Sequence, residues 1–143
     1  MSERGAVTPI LLAVAAVIVV LSLLVADVGG YLAARQQAAA AADAAALAAA
    51  PVTFRPFGAA GSPRQEAARF AAANGAQLVW CRCPVDRTWV TREVEVLVAR
   101  SVDLIMLGRR RIRVRSRAEF EPTRLATAPL PGPPPAPRSH TPR

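Results

Sequence analysis

The chain has 143 residues, a net charge of +8 carried by arginine with no lysine, one histidine and two cysteines. That length holds one domain at most, and the lone His140 excludes a histidine-based triad or a His-rich metal site. Two cysteines cannot define a disulfide framework, and an apolar N-terminal third with a proline-rich end leaves about sixty-five residues for a packed core.

From Pro9 to Ala26 eighteen consecutive residues carry no charge. As a helix they span roughly 27 Å, or about 31 Å with Ala6 to Thr8, close to the hydrocarbon thickness of a bilayer. Residues 9–26 are therefore predicted to cross a membrane, with Thr8 as cap and Pro9 at the first helical position. A secretory signal has a shorter apolar region, and Leu24-Val25-Ala26 is a poor cleavage site. Arg4 precedes the span and the next arginine is Arg35, which orients the N-terminus to the cytoplasm and the remainder outside.

Asp27 closes the apolar run. Gly29-Gly30 predicts a hinge at the membrane surface, because each glycine costs a helix about 1 kcal/mol relative to alanine. Tyr31-Leu32-Ala33-Ala34-Arg35-Gln36-Gln37 leads into a tract, Ala38 to Ala50, that is alanine but for Asp43 and Leu47, and the whole segment is helical by propensity alone. It reads either as a solvated spacer or as a stalk whose small side chains let like helices approach. Pro51 is expected to stop it, and Pro51 to Pro63 reads as a loop. Ser62-Pro63 then opens a short helix with Ser62 as N-cap, Glu66 in the first turn and Ala67, Phe70 and Ala71 on one face, ending at Asn74-Gly75.

Three strands are predicted next: Gln77 to Cys83, Trp89 to Ala99 and Arg111 to Phe120. In the second, Val90, Val94, Val96 and Val98 share one face, with Thr91, Glu93 and Glu95 on the other. In the third, Ile112, Val114, Ala118 and Phe120 oppose a row of Arg111, Arg113, Arg115 and Arg117. Antiparallel pairing of these two strands sets glutamates across from arginines. Between them, Leu104-Ile105-Met106-Leu107 is too apolar for a wholly exposed loop and is expected to fold back onto the sheet or meet a partner. From Pro122 onward the chain holds eight of its thirteen prolines and no acid, and is read as a disordered tail.

Cys81 and Cys83 lie two apart, so in a strand both thiols face one way. They are read as ordinary thiols or a structural bond, then as intermolecular pairing, and last as a metal or redox pair; an intrastrand disulfide is expected to be strained. Gly29-Gly30 lacks the flanking residues of a phosphate loop, and the carboxylates are scattered. No catalytic site, cofactor or small-molecule substrate is expected. The arginine row is a candidate anion-binding face, but few aromatics stand beside it for base stacking, so nucleic acid is disfavoured against a solvated or headgroup-facing surface.

Arg4-Gly5-Ala6-Val7-Thr8 before the span, Val25-Ala26-Asp27-Val28-Gly29 at its end, then Leu32-Ala33-Ala34-Arg35, Gln37 and Ala41-Ala42-Asp43-Ala44-Ala45-Ala46-Leu47-Ala48 together resemble the TadE/TadG-like proteins of tight-adherence (Flp) pilus systems. The similarity covers about residues 4–50. The Asn74-Gly75-Ala76 helix end and a strand bearing Cys81 look like the small actinobacterial TadE-like proteins found near helicase and secretion genes, and the arginine and alanine bias suits a high-GC genome. The resemblance implies a pseudopilin or minor-pilin-like protein of the bacterial cell membrane, acting by assembly, with pilin-like or TadE/TadG-like partners met through the stalk. It implies a processing site between Gly5 and Ala6. The glutamate that such sites carry at the fifth mature position is replaced here by Ile10, so an uncleaved membrane accessory of the TadG-like kind is the alternative.

The expected architecture is α+β: a flank (1–8), a transmembrane helix (9–26), an alanine-rich stalk (27–50), a small extracytoplasmic head (51–121) with a short helix and a mostly antiparallel, pilin-like three-stranded sheet, and a proline-rich tail (122–143). The expected function is a single-pass structural component of a tight-adherence-type pilus or related secretion system. The alternative is a membrane-anchored module that holds a cell-wall polymer, lipid headgroups or DNA through its arginine strand.

Overall fold

The structure, a computed structural model, describes residues 7–54 and 61–124. The proposed processing site at Gly5 and Ala6, residues 55–60 of the expected loop and the tail from 125 lie outside the described residues.

Helix α1 (Val7–Val52) is unbroken over 46 residues, about 69 Å at 1.5 Å per residue. It already includes Val7 and Thr8, so its start lies ahead of the expected Thr8 cap, and it runs one residue past Pro51 before Thr53 turns away. The Thr53 hydroxyl donates to the Ala50 carbonyl at 2.6 Å, occupying one of the acceptors left free at the helix end. The hinge expected at Gly29-Gly30 is absent. The neighbouring turn is braced from outside, through Asp27 and through Leu104, whose Cδ2 lies 3.5 Å from where a Gly30 Cβ would sit. Tertiary contact thus outweighs the helix propensity of two glycines.

The two halves of α1 meet different surroundings. From Ile10 to Val25 the large apolar side chains are exposed, apart from the half-buried Leu23. Beyond Asp27 one stripe is buried: Ala34, Ala38, Ala41, Ala42, Ala45, Ala46, Ala49 and Ala50. Steps of three and four place these on one face. The tract's one leucine, Leu47, points outward and is 66% exposed.

Against that stripe pack helix α2 (Pro63–Ala73) and an antiparallel sheet, β1 (Gln77–Arg82), β2 (Arg92–Leu104) and β3 (Gly108–Phe120), in the order β1-β2-β3. Ser62 caps α2 in a capping box, with the Gln65 side chain rather than Glu66 returning to the Ser62 N–H. Gly75, at φ +71°, closes the helix in the left-handed region, and the Ala76 N–H reaches back to the Ala71 carbonyl. The buried face of the sheet is Val94, Val96 and Val98 with Ile112 and Ala118, as the period-two pattern predicts. Strand β2 begins at Arg92, so Trp89 and Val90 lie before it and are exposed. At its other end β2 runs on to Leu104, making a hairpin of two 13-residue strands. At about 3.4 Å per residue it is some 44 Å long, enough to lie along α1 from Asp27 to Ala50.

Candidate functional site

The tip of that hairpin meets α1 where its apolar run ends. Leu104 pairs with Gly108 across a three-residue loop, Ile105-Met106-Leu107, and Gly108 takes φ +66° as such a loop requires. Three successive backbone N–H groups then turn toward α1. Those of Ile105, Met106 and Leu107 donate to the Asp27 carboxylate at 2.6, 2.8 and 3.2 Å. Asp27 is only 2% exposed, and a buried carboxylate requires such partners. It sits seven residues ahead of Ala34, on the face that continues as the alanine stripe. Sequence inspection took Asp27 only as the end of the apolar run; its place on the buried helical face was the signal that it would be bonded.

The arginine row is split. Its four side chains are exposed on the outer sheet face, as expected. Arg115 lies 3.1 Å from Glu95 Oε1, while Arg117 lies 3.3 Å from Glu93 and 3.4 Å from Glu95. Glu95 is 7% exposed and its Oε1 accepts no aligned hydrogen bond, so proximity of charge is what holds it there. The cross-strand pairing of glutamate and arginine predicted from the pattern is present. Arg117 also offsets the unfavourable Glu93–Glu119 register. Arg115 further lies over the Trp80 ring at 6.0 Å. Arg111 and Arg113, nearer the tip, form no ion pair with another described residue. Arg109 is bound to Asp103 at 2.8 Å across the hairpin.

At the opposite end of the head, Arg92 gathers the chain. Its guanidinium donates to the carbonyls of Thr53 (3.1 Å), Asp86 (2.8 Å), Val90 and Thr88 and lies over the Phe54 ring at 5.6 Å. Phe54, 2% exposed, meets Trp89 edge-on at 4.9 Å and Phe120 at 6.3 Å. Arg92 was not singled out from the sequence, although it stands at an even, inward-facing position of the Val94-Val96-Val98 pattern, where an arginine must find acceptors.

Asp86 shapes the loop that Arg92 binds. The Thr88 hydroxyl (2.7 Å) and amide (3.1 Å) hold its carboxyl below the usual carboxylate range. Burial opposes them, while the Arg87 amide (2.6 Å) and the charge of Arg92 add to the lowering. A folded-state value below the unfolded one of about 3.9 gives a stabilisation complete above that pH and lost as pH falls through the folded value. Acid titration of Trp89 fluorescence from pH 5 to 2 is expected to show a transition below pH 4 that Asp86→Ala removes.

Cys81 and Cys83 are joined to each other and sit half-buried against the core. Among the described residues no group of three His, Cys, Asp or Glu side chains gathers to hold a metal. The constellations that are present fix a head to a helix: an acid clamp at one end, an arginine knot at the other and an alanine stripe between.

Residues 5–52 match a family model described as "Putative Flp pilus-assembly TadE/G-like". The matched segment is a third of the chain and ends where α1 ends. No curated protein and no solved structure matches the chain.

Proposed function

We propose that the chain is a membrane-anchored, minor-pilin-like structural component of a tight-adherence-type pilus or a related secretion system. The observation that carries this is the division of α1. Its first half is apolar and uncovered, a candidate anchor, and its second half is the spine of a small α+β head. The helix so divided is the segment similar to the pilus-assembly family. On this reading the N-terminus is cytoplasmic, the head is extracytoplasmic, and partners of the same kind meet the outward side of α1 around Leu47. The protein works by assembly rather than catalysis. Holding an anionic polymer through the arginine row has less support, since Arg115 and Arg117 are already engaged by glutamates.

Deletion of the chain in its native host is expected to abolish surface fibres or export of the dependent secreted protein. The full chain should restore them, and a version whose span is replaced by a cleavable signal should not. Normal fibres and export in the deletion strain would overturn the proposal. Intact mass of the membrane-extracted protein refines it: a mature start at Ala6 indicates incorporation into a fibre, and an unprocessed N-terminus indicates a resident assembly factor.

A further inference from the structure

The β2–β3 hairpin tip has a second consequence, resting on the reading that residues 9–26 cross the bilayer. Asp27 is the first residue after the charge-free run, so it lies where the helix leaves the hydrocarbon. The next charged residue is Arg35, and Tyr31 between them is 39% exposed, as suits a side chain in the headgroup layer. The hairpin tip is bonded to Asp27 and therefore lies at that same depth. Its three side chains point away from the protein: Ile105 is 69%, Met106 47% and Leu107 51% exposed. Three adjoining apolar side chains at the tip of a soluble head would face water. Beside the mouth of a transmembrane helix they stand at the level of the exposed Leu24, Val25 and Val28.

Charge follows the apolar tip in the order a bilayer demands. Gly108 is succeeded by Arg109, Arg110 and Arg111, within about 10 Å of the tip along an extended strand. A headgroup layer is roughly 5–7 Å thick per leaflet, and the long arginine side chains beside the tip can reach back into it. Arg109 is held by Asp103, whereas Arg110 and Arg111 form no ion pair with another described residue.

We propose that Ile105, Met106 and Leu107 dip into the leaflet from which α1 emerges and that Arg110 and Arg111 contact the phosphates of anionic lipid headgroups. The head is then attached to the membrane at two points, the helix and the hairpin, and lies in one fixed orientation about the helix axis.

The test uses the full chain in vesicles of phosphatidylcholine and phosphatidylglycerol at 3:1. A photoreactive benzoylphenylalanine replaces Ile18, Met106 or Val90 in turn, and lipid adducts are measured by mass spectrometry. Val90 is exposed at the far end of the head and Ile18 lies within the span. Adducts at positions 18 and 106, with at least a fivefold lower yield at 90, are expected. With phosphatidylcholine alone, or with Arg110→Gln and Arg111→Gln together, the yield at 106 is expected to fall severalfold while that at 18 is unchanged. Labelling at 18 without labelling at 106 would overturn the hairpin proposal and leave the span intact. Equal labelling at 90 and 106 would also overturn it, as adsorption of the whole head. No lipid adduct at 18 would overturn the spanning helix and the hairpin proposal with it. An unchanged yield at 106 in neutral vesicles would overturn the assignment to Arg110 and Arg111.

Discussion

Arg92→Ala is expected to destabilise the head by about 3 kcal/mol, measured as the shift in the denaturation midpoint of the detergent-solubilised full chain followed by Trp80 and Trp89 fluorescence. The guanidinium makes five hydrogen bonds to four carbonyls drawn from α1's exit and the Asp86–Val90 loop. Hydrogen bonds from a charged donor contribute about 1.5–3 kcal/mol, and each acceptor left dry costs about 1–3 kcal/mol. Water can reach the exposed Thr88 and Val90 side of the knot, which keeps the loss below the simple sum. Thr53 is fully buried and out of reach of water, but its carbonyl keeps the Asp86 N–H as a donor at 3.1 Å, which limits the loss further. Arg92→Lys is expected to recover less than half of the loss, because an ammonium has three donors at one point where the guanidinium fork reaches acceptors on two sides. A loss under 1 kcal/mol for Arg92→Ala would show that the loop does not depend on this residue.

Ala46→Leu should cost a comparable amount, about 2–3 kcal/mol, although leucine is nearly as good a helix former as alanine. Ala46 is fully buried in the layer where α1 meets α2 and the valines of β2. Three added carbons have no space there without moving the sheet off the helix, and overpacking of this kind costs about 1–3 kcal/mol. The neighbouring change Leu47→Ala removes a larger side chain from an exposed position and should shift stability by no more than about 0.5 kcal/mol in the isolated protein. If the proposed assembly uses the outward side of the helix, Leu47→Ala should weaken fibre formation or export while leaving the midpoint unchanged. The pair therefore separates the inner face, which holds the fold, from the outer face, which is open to partners.

Much of this arrangement was legible in the residues themselves. A charge-free run of eighteen residues is long enough as a helix to cross a bilayer, and alternating valines or arginines can occupy only opposite faces of a strand. Charge signs suit an antiparallel pairing of β2 with β3. What could not be read was contact over long separations. The Gly29-Gly30 step follows local propensity toward a hinge, and only the hairpin tip arriving from residue 105 makes it straight. Likewise the alanine tract looks the same whether it is bare or covered, since small side chains suit both solvent and close packing. Val90 continues a pattern whose strand starts two residues later, because the Arg92 knot bends the chain there. Of the candidate sites, the arginine row was found as a face. Its division into a neutralised half and an open half depends on the register with Glu93 and Glu95. Asp27 was visible as a residue but not as a clamp.

On the proposed reading that residues 9–26 cross a bilayer, the absence of a joint in α1 makes the protein a lever with its fulcrum at the membrane surface. About 38 Å of helix separates Asp27 from Val52, and the sheet is fastened to that length at both ends. A change of only 10° in the tilt of the span would swing the Phe54–Trp89 end sideways by about 7 Å. Tilt is how an apolar helix adapts to a bilayer thicker or thinner than itself. The height and lean of the head are thereby set from within the lipid, and any partner that docks on it meets a surface whose position reports the thickness of the membrane below.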